Sequence, residues 1–543
     1  MNTEHLTIIG AIALFIVVHI PLWRHFHSPY RHGGILHLAI KYSQSGTLLS
    51  NFDFYPSWRK HPLQVSEYQG FIKTLGIFLR FSRLQPMTGA LVLQCIFTII
   101  MALCLQSIMP PSLQWLAFAA VACCLAPLYL SITIMPDMYL MTAISVVLTL
   151  IHHQNMLPSP VLAILLGLSA WLGIRIKSSG FILAFCICCV LPFLRLETGF
   201  SLLTVALALC PFIIDILLGR ENMILQLLHR QQKYFGFSVT DEQRDTPPEV
   251  LSERNIFERL HGIIRLAVNG IAIALTPWAR FGFYRSNGLI YLTGFAGIIT
   301  YYSQSQSHST QPMYIFMMIY LCAFLFFHAQ LRRYFHFASR AGATLFPIWL
   351  VFSAILFTHL QQIGTPLIFL FLGIEGSKSA IAFFSTPPKS IYFEPPLAAP
   401  LHGEKTIDLL RNLLQHGDLL MLTYQDLNSF GIALQHWQIA IELEKTTTQT
   451  MCQYIDYYRY DQRYRKIYLI LPPDRHLFLD KNLTPHFIEE DPLANRFTEI
   501  HQGEDLHGYR IFEACRPSRY ADLTRYETMT PDQLKNNPII FNS

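Results

Sequence analysis

For its first 375 residues the chain alternates long apolar runs with short polar interruptions, and beyond them the pattern changes. Apolar runs lie at 6–23, 87–109, 114–134, 138–152, 160–176, 181–194, 201–218, 262–278, 288–302, 312–330 and 344–360. Most approach the about 20 residues that let a helix cross a hydrocarbon layer. The pattern predicts about eleven spans, with 365–374 as a further short or re-entrant piece. The first run follows Met1-Asn2-Thr3-Glu4-His5, which is not a basic leader, and no small-residue cleavage site follows it. It reads as a retained span.

Between the first two runs, 24–86 carries interrupted amphipathic stretches at 34–42 and 65–79. These suit helices lying at a membrane surface. Residues 219–261 mix charges of both signs around Thr246-Pro247-Pro248 and read as a surface loop. After Gly376, a helical period at 406–415 alternates with strand-like stretches at 437–443 and 467–471. The expected fold class is therefore a polytopic α-helical membrane protein with a C-terminal soluble α/β or α+β domain. The expected domains are 1–375 in the membrane and 376–543 outside it.

Composition agrees. Hydrophobic residues make up 52% and charged residues only 14%, against about 25% charged in ordinary soluble proteins. A net charge of +5 is too mild to argue for nucleic-acid binding. With the N-terminus inside, the short inner loops carry Arg195, Arg280, Arg285, Arg332, Arg333 and Arg340, and the short outer ones Arg175 and Lys177. That bias predicts an outer C-terminus. Of 11 cysteines, all but Cys452 and Cys515 lie in apolar runs as small fillers. Those two could pair in an oxidising compartment. No zinc spacing, Walker loop, dinucleotide fingerprint or nucleophile elbow occurs.

Charged groups at membrane depth are candidates for function because burying them is costly. Asp137, in the minimal turn between 114–134 and 138–152, could act as a base, hold a metal, or simply cap the following helix. Arg83, Arg175, Lys177, Arg332, Arg333 and Arg340 lie at run boundaries. They could anchor the ends or, as a set, clamp a phosphate. Asp215 and Arg265 stand inside runs and could pair with each other. The first loop gathers His25, His27, His32, His37 and His61 with Asp53 and Glu67, a set able to bind a divalent metal or to form an amphipathic surface. The aromatic and basic stretch 454–466 reads as domain surface, with nucleic-acid stacking as the alternative.

The order of these features resembles the GT-C superfamily of multi-span glycosyltransferases, which includes protein O-mannosyltransferases and lipid A aminoarabinose transferases. The similar stretches are Lys60-His61-Pro62-Leu63, Phe78-Leu79-Arg80 and Phe81-Ser82-Arg83-Leu84 in the first long loop. Pro136-Asp137 resembles the family's second acidic motif, and 166–177 resembles its Gly-Leu-rich span ending in Lys177. Arg332-Arg333-Tyr334 through Pro347 resembles its late basic loop. Where the family carries its first acid, this chain reads Tyr30-Arg31-His32-Gly33-Gly34, ahead of Leu36-His37-Leu38-Ala39-Ile40. Asp53 or His32 would have to take over that role.

The resemblance implies an inverting hexosyl- or pentosyltransferase that takes its sugar from a polyprenyl-phosphate donor at the outer face. Its acceptor would be a lipid, a glycan or a protein. Asp137, Asp53 and His32 would then be catalytic, with a divalent metal such as Mg or Mn as an optional aid. Arg83, Lys177 and Arg332 would stabilise the donor phosphate. The implied location is a bacterial inner membrane with the tail in the periplasm. A non-catalytic partner of the same fold, or a transporter, are the alternatives from other classes.

Overall fold

The computed structural model describes residues 3–25, 33–46, 49–50, 52–53, 63–64, 69–177, 180–217, 288–304, 311–329 and 340–384, and in the tail 409–410, 412–415, 417–422, 439–442, 459, 464–471, 476–479, 485–487, 496–502 and 510–515. The run 262–278, the loop 219–261, His32, Arg265, Arg332, Arg333, Cys452 and most of 454–466 lie outside the described residues. The chain divides into two compact units. One holds Met1–Phe26, Glu67–Phe71 and Leu91–Ala399; the other holds His27–Ser66, Ile72–Ala90 and Pro400–Ser543.

The helices follow the apolar runs. They are α1 (Thr3–His25), α2 (Gly33–Ser45), α3 (Gln69–Ser82), α4 (Pro86–Ile108), α5 (Gln114–Cys123), α6 (Leu125–Ile132), α7 (Pro136–His152), α8 (Ser159–Ile176), α9 (Gly180–Val190), α10 (Thr198–Leu217), α11 (Gly288–Gln304), α12 (Gln311–Ala329), α13 (Arg340–Ala343), α14 (Phe346–His359) and α15 (Gln361–Phe384). Prolines open α4, α7, α8 and α14, because the first turn has no use for the missing N–H. Among the described residues, α4 and α8 are long and apolar enough to cross a membrane, and α5 with α6 passes as a pair bent by 60°. Outward-facing Ile99, Leu103, Ile164, Leu168 and Leu172 are exposed, an apolar surface that suits lipid better than water.

Sequence periodicity expected one span over 114–134, but the structure breaks it at Cys124, whose φ −79 and ψ 135 are extended. The cause is Pro127, three residues on. In a continuous helix its ring would clash with the carbonyl of Cys123, four residues back. Likewise, 365–374 is no isolated piece but the middle of α15.

In the first unit α10 and α9 pack on α8, α12 on α9, α11 on α14, and α1 on α5. α4 and α7 are stitched by hydroxyls: Thr142 donates to the Phe97 carbonyl at 3.0 Å and Thr149 to the Cys104 carbonyl at 3.1 Å. Both donors and both acceptors repeat every two turns, so the helices run side by side. Such interhelical bonds are worth about 0.6 kcal/mol each in a membrane protein.

The second unit contains a six-stranded sheet. Its strands are β2 (Phe52–Asp53), β4 (Leu419–Leu422), β5 (Ile439–Glu442), β6 (Ile467–Leu471), β9 (Phe497–Gln502) and β10 (Arg510–Ala514), in the order β2-β5-β4-β6-β10-β9. β2, β5, β4 and β6 run parallel, while β10 and β9 are antiparallel. The continuous apolar runs Leu419-Leu420-Met421-Leu422 and 467–471 are what strands buried on both faces require. Smaller pairs join β1 (Leu49–Ser50) to β3 (Leu63–Gln64) and β7 (His476–Leu479) to β8 (Pro485–Phe487). At the entry to β4, buried Asp418 accepts two bonds of 2.9 Å from Arg465. Beside it, Lys466 donates to Glu513 at 3.0 Å. Those hydrogen bonds raise the pKa of Arg465 and of Lys466.

Candidate active site

Asp137 stands where two helices fail to join. α6 ends at Ile132, Thr133 to Met135 run extended, and α7 restarts at Pro136. Gln94 of α4 pins this connection, its Nε2 donating to the carbonyls of Thr133 at 2.9 Å and Met135 at 3.1 Å. The N-cap position is Met135, so Asp137 sits inside the first turn and is not the cap. There the helix dipole favours a carboxylate.

The Asp137 side chain is wholly buried, and Lys177 Nζ donates to its Oδ1 at 2.5 Å. Lys177, 12% exposed, occupies the turn between α8 and α9. Its backbone N–H bonds to the Gly173 carbonyl, and its carbonyl accepts from the Gly180 N–H at 2.9 Å. That turn depends on glycine: a Cβ on Gly180 would collide with the Gly173 carbonyl. A second close approach brings the first turn of α3 against the end of α8, where a Cβ on Gly70 would collide with the Arg175 carbonyl. Next to Gly70, Phe71 packs edge-on to Tyr139 at 4.7 Å, and Phe97 lies at 3.9 Å from the same ring. Three helix ends therefore converge on one buried ion pair.

Two polar atoms near Asp137 escape a reading of charges alone. Among the described residues the Tyr139 hydroxyl and Gln94 Oε1 are buried without a hydrogen-bond partner. Gln94 lies in the middle of an apolar run, which makes it legible as a polar residue at depth. Tyr139 carries no such signal, because aromatic residues are ordinary in apolar helices.

The other sequence candidates fall elsewhere. Arg83 is exposed, in the connection between α3 and α4, with φ +55. That left-handed backbone disfavours any side chain. Asp53 lies in β2, paired in register with Ile441 of β5. Arg175 is partly buried at the end of α8, Arg340 opens α13, and Asp215 lies in α10. Among the described residues no group of three or more His, Cys, Asp or Glu side chains could hold a metal ion. Beside Asp137 the position a cation would take is occupied by the Lys177 ammonium. The donor set at this site does not fit a divalent metal.

A second buried charge cluster was not among the sequence candidates. Glu375 and Lys378 of α15 lie 3.6 Å apart, with Glu375 fully buried. They stand beside the change of composition near Gly376, where charges are expected at the end of a domain.

No family model matches the chain, and no curated protein sequence matches it. Among solved structures it is similar to ArnT from Cupriavidus metallidurans bound to undecaprenyl phosphate. The two are 11% identical over 94% of this chain and 98% of that one, with a TM-score of 0.54. For ArnT in the apo state the identity is 11%, the coverage 93% and 98%, and the TM-score 0.52. It is also similar to the archaeal oligosaccharyltransferase AglB from Archaeoglobus fulgidus, crystallised with an inhibitory peptide and a dolichol-phosphate. Here the identity is 11%, the coverage 86% and 69%, and the TM-score 0.49. The likeness to ArnT spans nearly the whole of both chains and is a likeness of fold. The fold that the sequence motifs lead one to expect is thus shared with ArnT.

Proposed function

We propose that the chain is an integral-membrane glycosyltransferase. It moves a sugar from a polyprenyl-phosphate-linked donor to the hydroxyl of a lipid, glycan or protein acceptor. The reaction takes place on the outer face of a bacterial inner membrane, with the tail in the periplasm. One observation carries the reading: the wholly buried Asp137 paired with the largely buried Lys177 at the convergence of three helix ends, in a fold shared with a protein that binds undecaprenyl phosphate.

In the proposed reaction the acceptor oxygen attacks the anomeric carbon of the donor sugar and gives its proton to the Asp137 carboxylate. The bond from that carbon to the donor phosphate oxygen breaks, and the phosphate keeps the electron pair. Lys177 turns from the carboxylate toward the departing phosphate as charge builds there. Protonating Asp137 and freeing Lys177 are then one event, because each change removes the reason for the pair. Attack from the face opposite the leaving phosphate inverts the anomeric centre. Arg83, Asp53 and His32 keep the roles their motifs imply, whereas Arg332, which the charge bias puts on the inner side, cannot reach a phosphate at the outer face.

The test compares cells expressing wild-type protein with cells expressing Asp137→Asn, by mass spectrometry of their lipids and glycans. A mass increment of one sugar, present with wild type and absent with the variant, is the expected result. An unchanged increment with Asp137→Asn would falsify the assignment. The absence of the family's first acid at Tyr30-Arg31-His32-Gly33-Gly34 favours a second reading, a non-catalytic partner of the same fold. Absence of any wild-type increment would point to it.

A further inference from the structure

The second buried cluster lies at the other end of the helix that leads to Asp137. Pro127 forces the break at Cys124 and strips the Cys123 carbonyl of its helical partner, since proline has no N–H to offer four residues on. Ser379 of α15 supplies the replacement, its hydroxyl donating to that carbonyl at 2.6 Å. One turn earlier on α15, Glu375 accepts from the Leu289 backbone N–H at 2.5 Å. That N–H belongs to the first turn of α11, which has no helical partner for it. Lys378 lies 3.6 Å from the same carboxylate, and both side chains are almost wholly buried. Glu375 and Ser379, one turn apart on one helix, thus satisfy two helix ends that the sequence itself leaves open.

Burying the Glu375–Lys378 pair is weak as a source of stability, and Glu375 Oε2 finds no hydrogen-bond partner among the described residues. What the cluster does hold is α6. All eight residues of α6 are buried, and at 1.5 Å per residue it spans about 12 Å. Its first end is tied to α15 through Cys123, and its last leads into Thr133 and Met135, which Gln94 pins, and then to Asp137. A fully packed short helix moves as a rod, since interiors transmit displacement instead of absorbing it.

We infer that Glu375, Lys378 and Ser379 are positioning residues: they set the near end of α6, and α6 sets the register of Asp137 against Lys177. This rests on the proposed role of Asp137. A displacement of about 1 Å at a reacting group is worth roughly a hundredfold in rate.

The test uses full-length protein in lipid nanodiscs, with Ser379→Ala as the mild variant and Glu375→Gln as the stronger one. Two thiols report on α6: the native Cys124, which is fully buried, and a second introduced by Met135→Cys. Labelling by methyl methanethiosulfonate is read site by site by peptide mass spectrometry. Ser379→Ala is expected to speed labelling at both positions about tenfold. It should also lower kcat by about tenfold to a hundredfold with the donor KM unchanged. The double variant Glu375→Gln/Lys378→Met, which neutralises the pair together, should recover slow labelling relative to Glu375→Gln alone. Faster labelling at Cys124 with no change at position 135 would overturn the inference, as would unchanged labelling at both. Failure of the wild type to transfer any sugar would sink the glycosyltransferase reading, while the labelling results would still decide whether α6 couples the two clusters.

Discussion

Removing the cation from the Asp137–Lys177 pair is the sharpest perturbation this structure offers. Lys177→Met keeps the length of the side chain and deletes its charge. Asp137 is wholly buried and Lys177 only 12% exposed, so water screens little of the loss. Breaking a buried pair by removing one partner costs about 3–5 kcal/mol. The reverse deletion, Asp137→Asn, should cost less, about 1–3 kcal/mol, because a lysine stem can carry its charge to the polar boundary. With both changes present neither charge of this pair is left buried, and the double variant should come back to within about 1 kcal/mol of wild type. The mutational cycle should therefore show a coupling of roughly 3 kcal/mol or more. Tryptophan fluorescence during equilibrium unfolding in mixed micelles would measure all four proteins, and the sugar increment would be followed in parallel. Stability should return in the double variant, whereas transfer should not. If Lys177→Met unfolds within about 1 kcal/mol of wild type, the pair is solvated and the reasoning about this site fails.

Two further predictions are independent of that pair. Arg83→Gly should raise the unfolding midpoint, because glycine accepts the φ of +55 that costs other residues about 1–2 kcal/mol. If the arginine serves the donor phosphate, the same variant should bind undecaprenyl phosphate more weakly in native mass spectrometry. A rise in stability with unchanged binding would remove Arg83 from the site. In the tail, the hydrogen bond to Glu513 raises the pKa of Lys466. Its contribution to stability is therefore complete below the ordinary lysine value and is lost as pH climbs through the folded one. Lys466→Met should accordingly lower stability at neutral pH and flatten its decline at alkaline pH; equal alkaline declines in the two proteins would refute this.

Much of the helical part was legible because an apolar run is a local signal. The runs at 138–152 and 160–176 return as α7 and α8 with ends shifted by only a residue or two. Pro136-Asp137 announced a helix start next to a charge, and the structure shows both. The break at Cys124 was readable in principle from Pro127, but hydropathy averages over a single proline. Partnerships were not readable. Nothing in the spacing of Asp137 and Lys177 distinguishes a pair from two separate anchors, since their meeting depends on Gly173 and Gly180 letting the chain turn between α8 and α9. Glu375 was hidden for a similar reason: its partner Leu289 contributes a backbone N–H, which no side-chain motif can advertise. Asp53 stands out by its charge, while its backbone pairing with β5 has no local signature in a strand of two residues.

That strand also sets a timetable for synthesis. Asp53 leaves the ribosome long before its backbone partner, Ile441. At about 5–20 residues per second, the loop between the first two apolar runs waits on the order of a minute for the strand beside it. Every helix of the first unit except α1 is made in that interval, so the sheet closes late, across nearly 400 residues of chain. A tail expressed alone would bare the edge of β5, an open row of backbone donors and acceptors that invites pairing with other chains. Such fragments should be made together with the loop that carries residues 52–53.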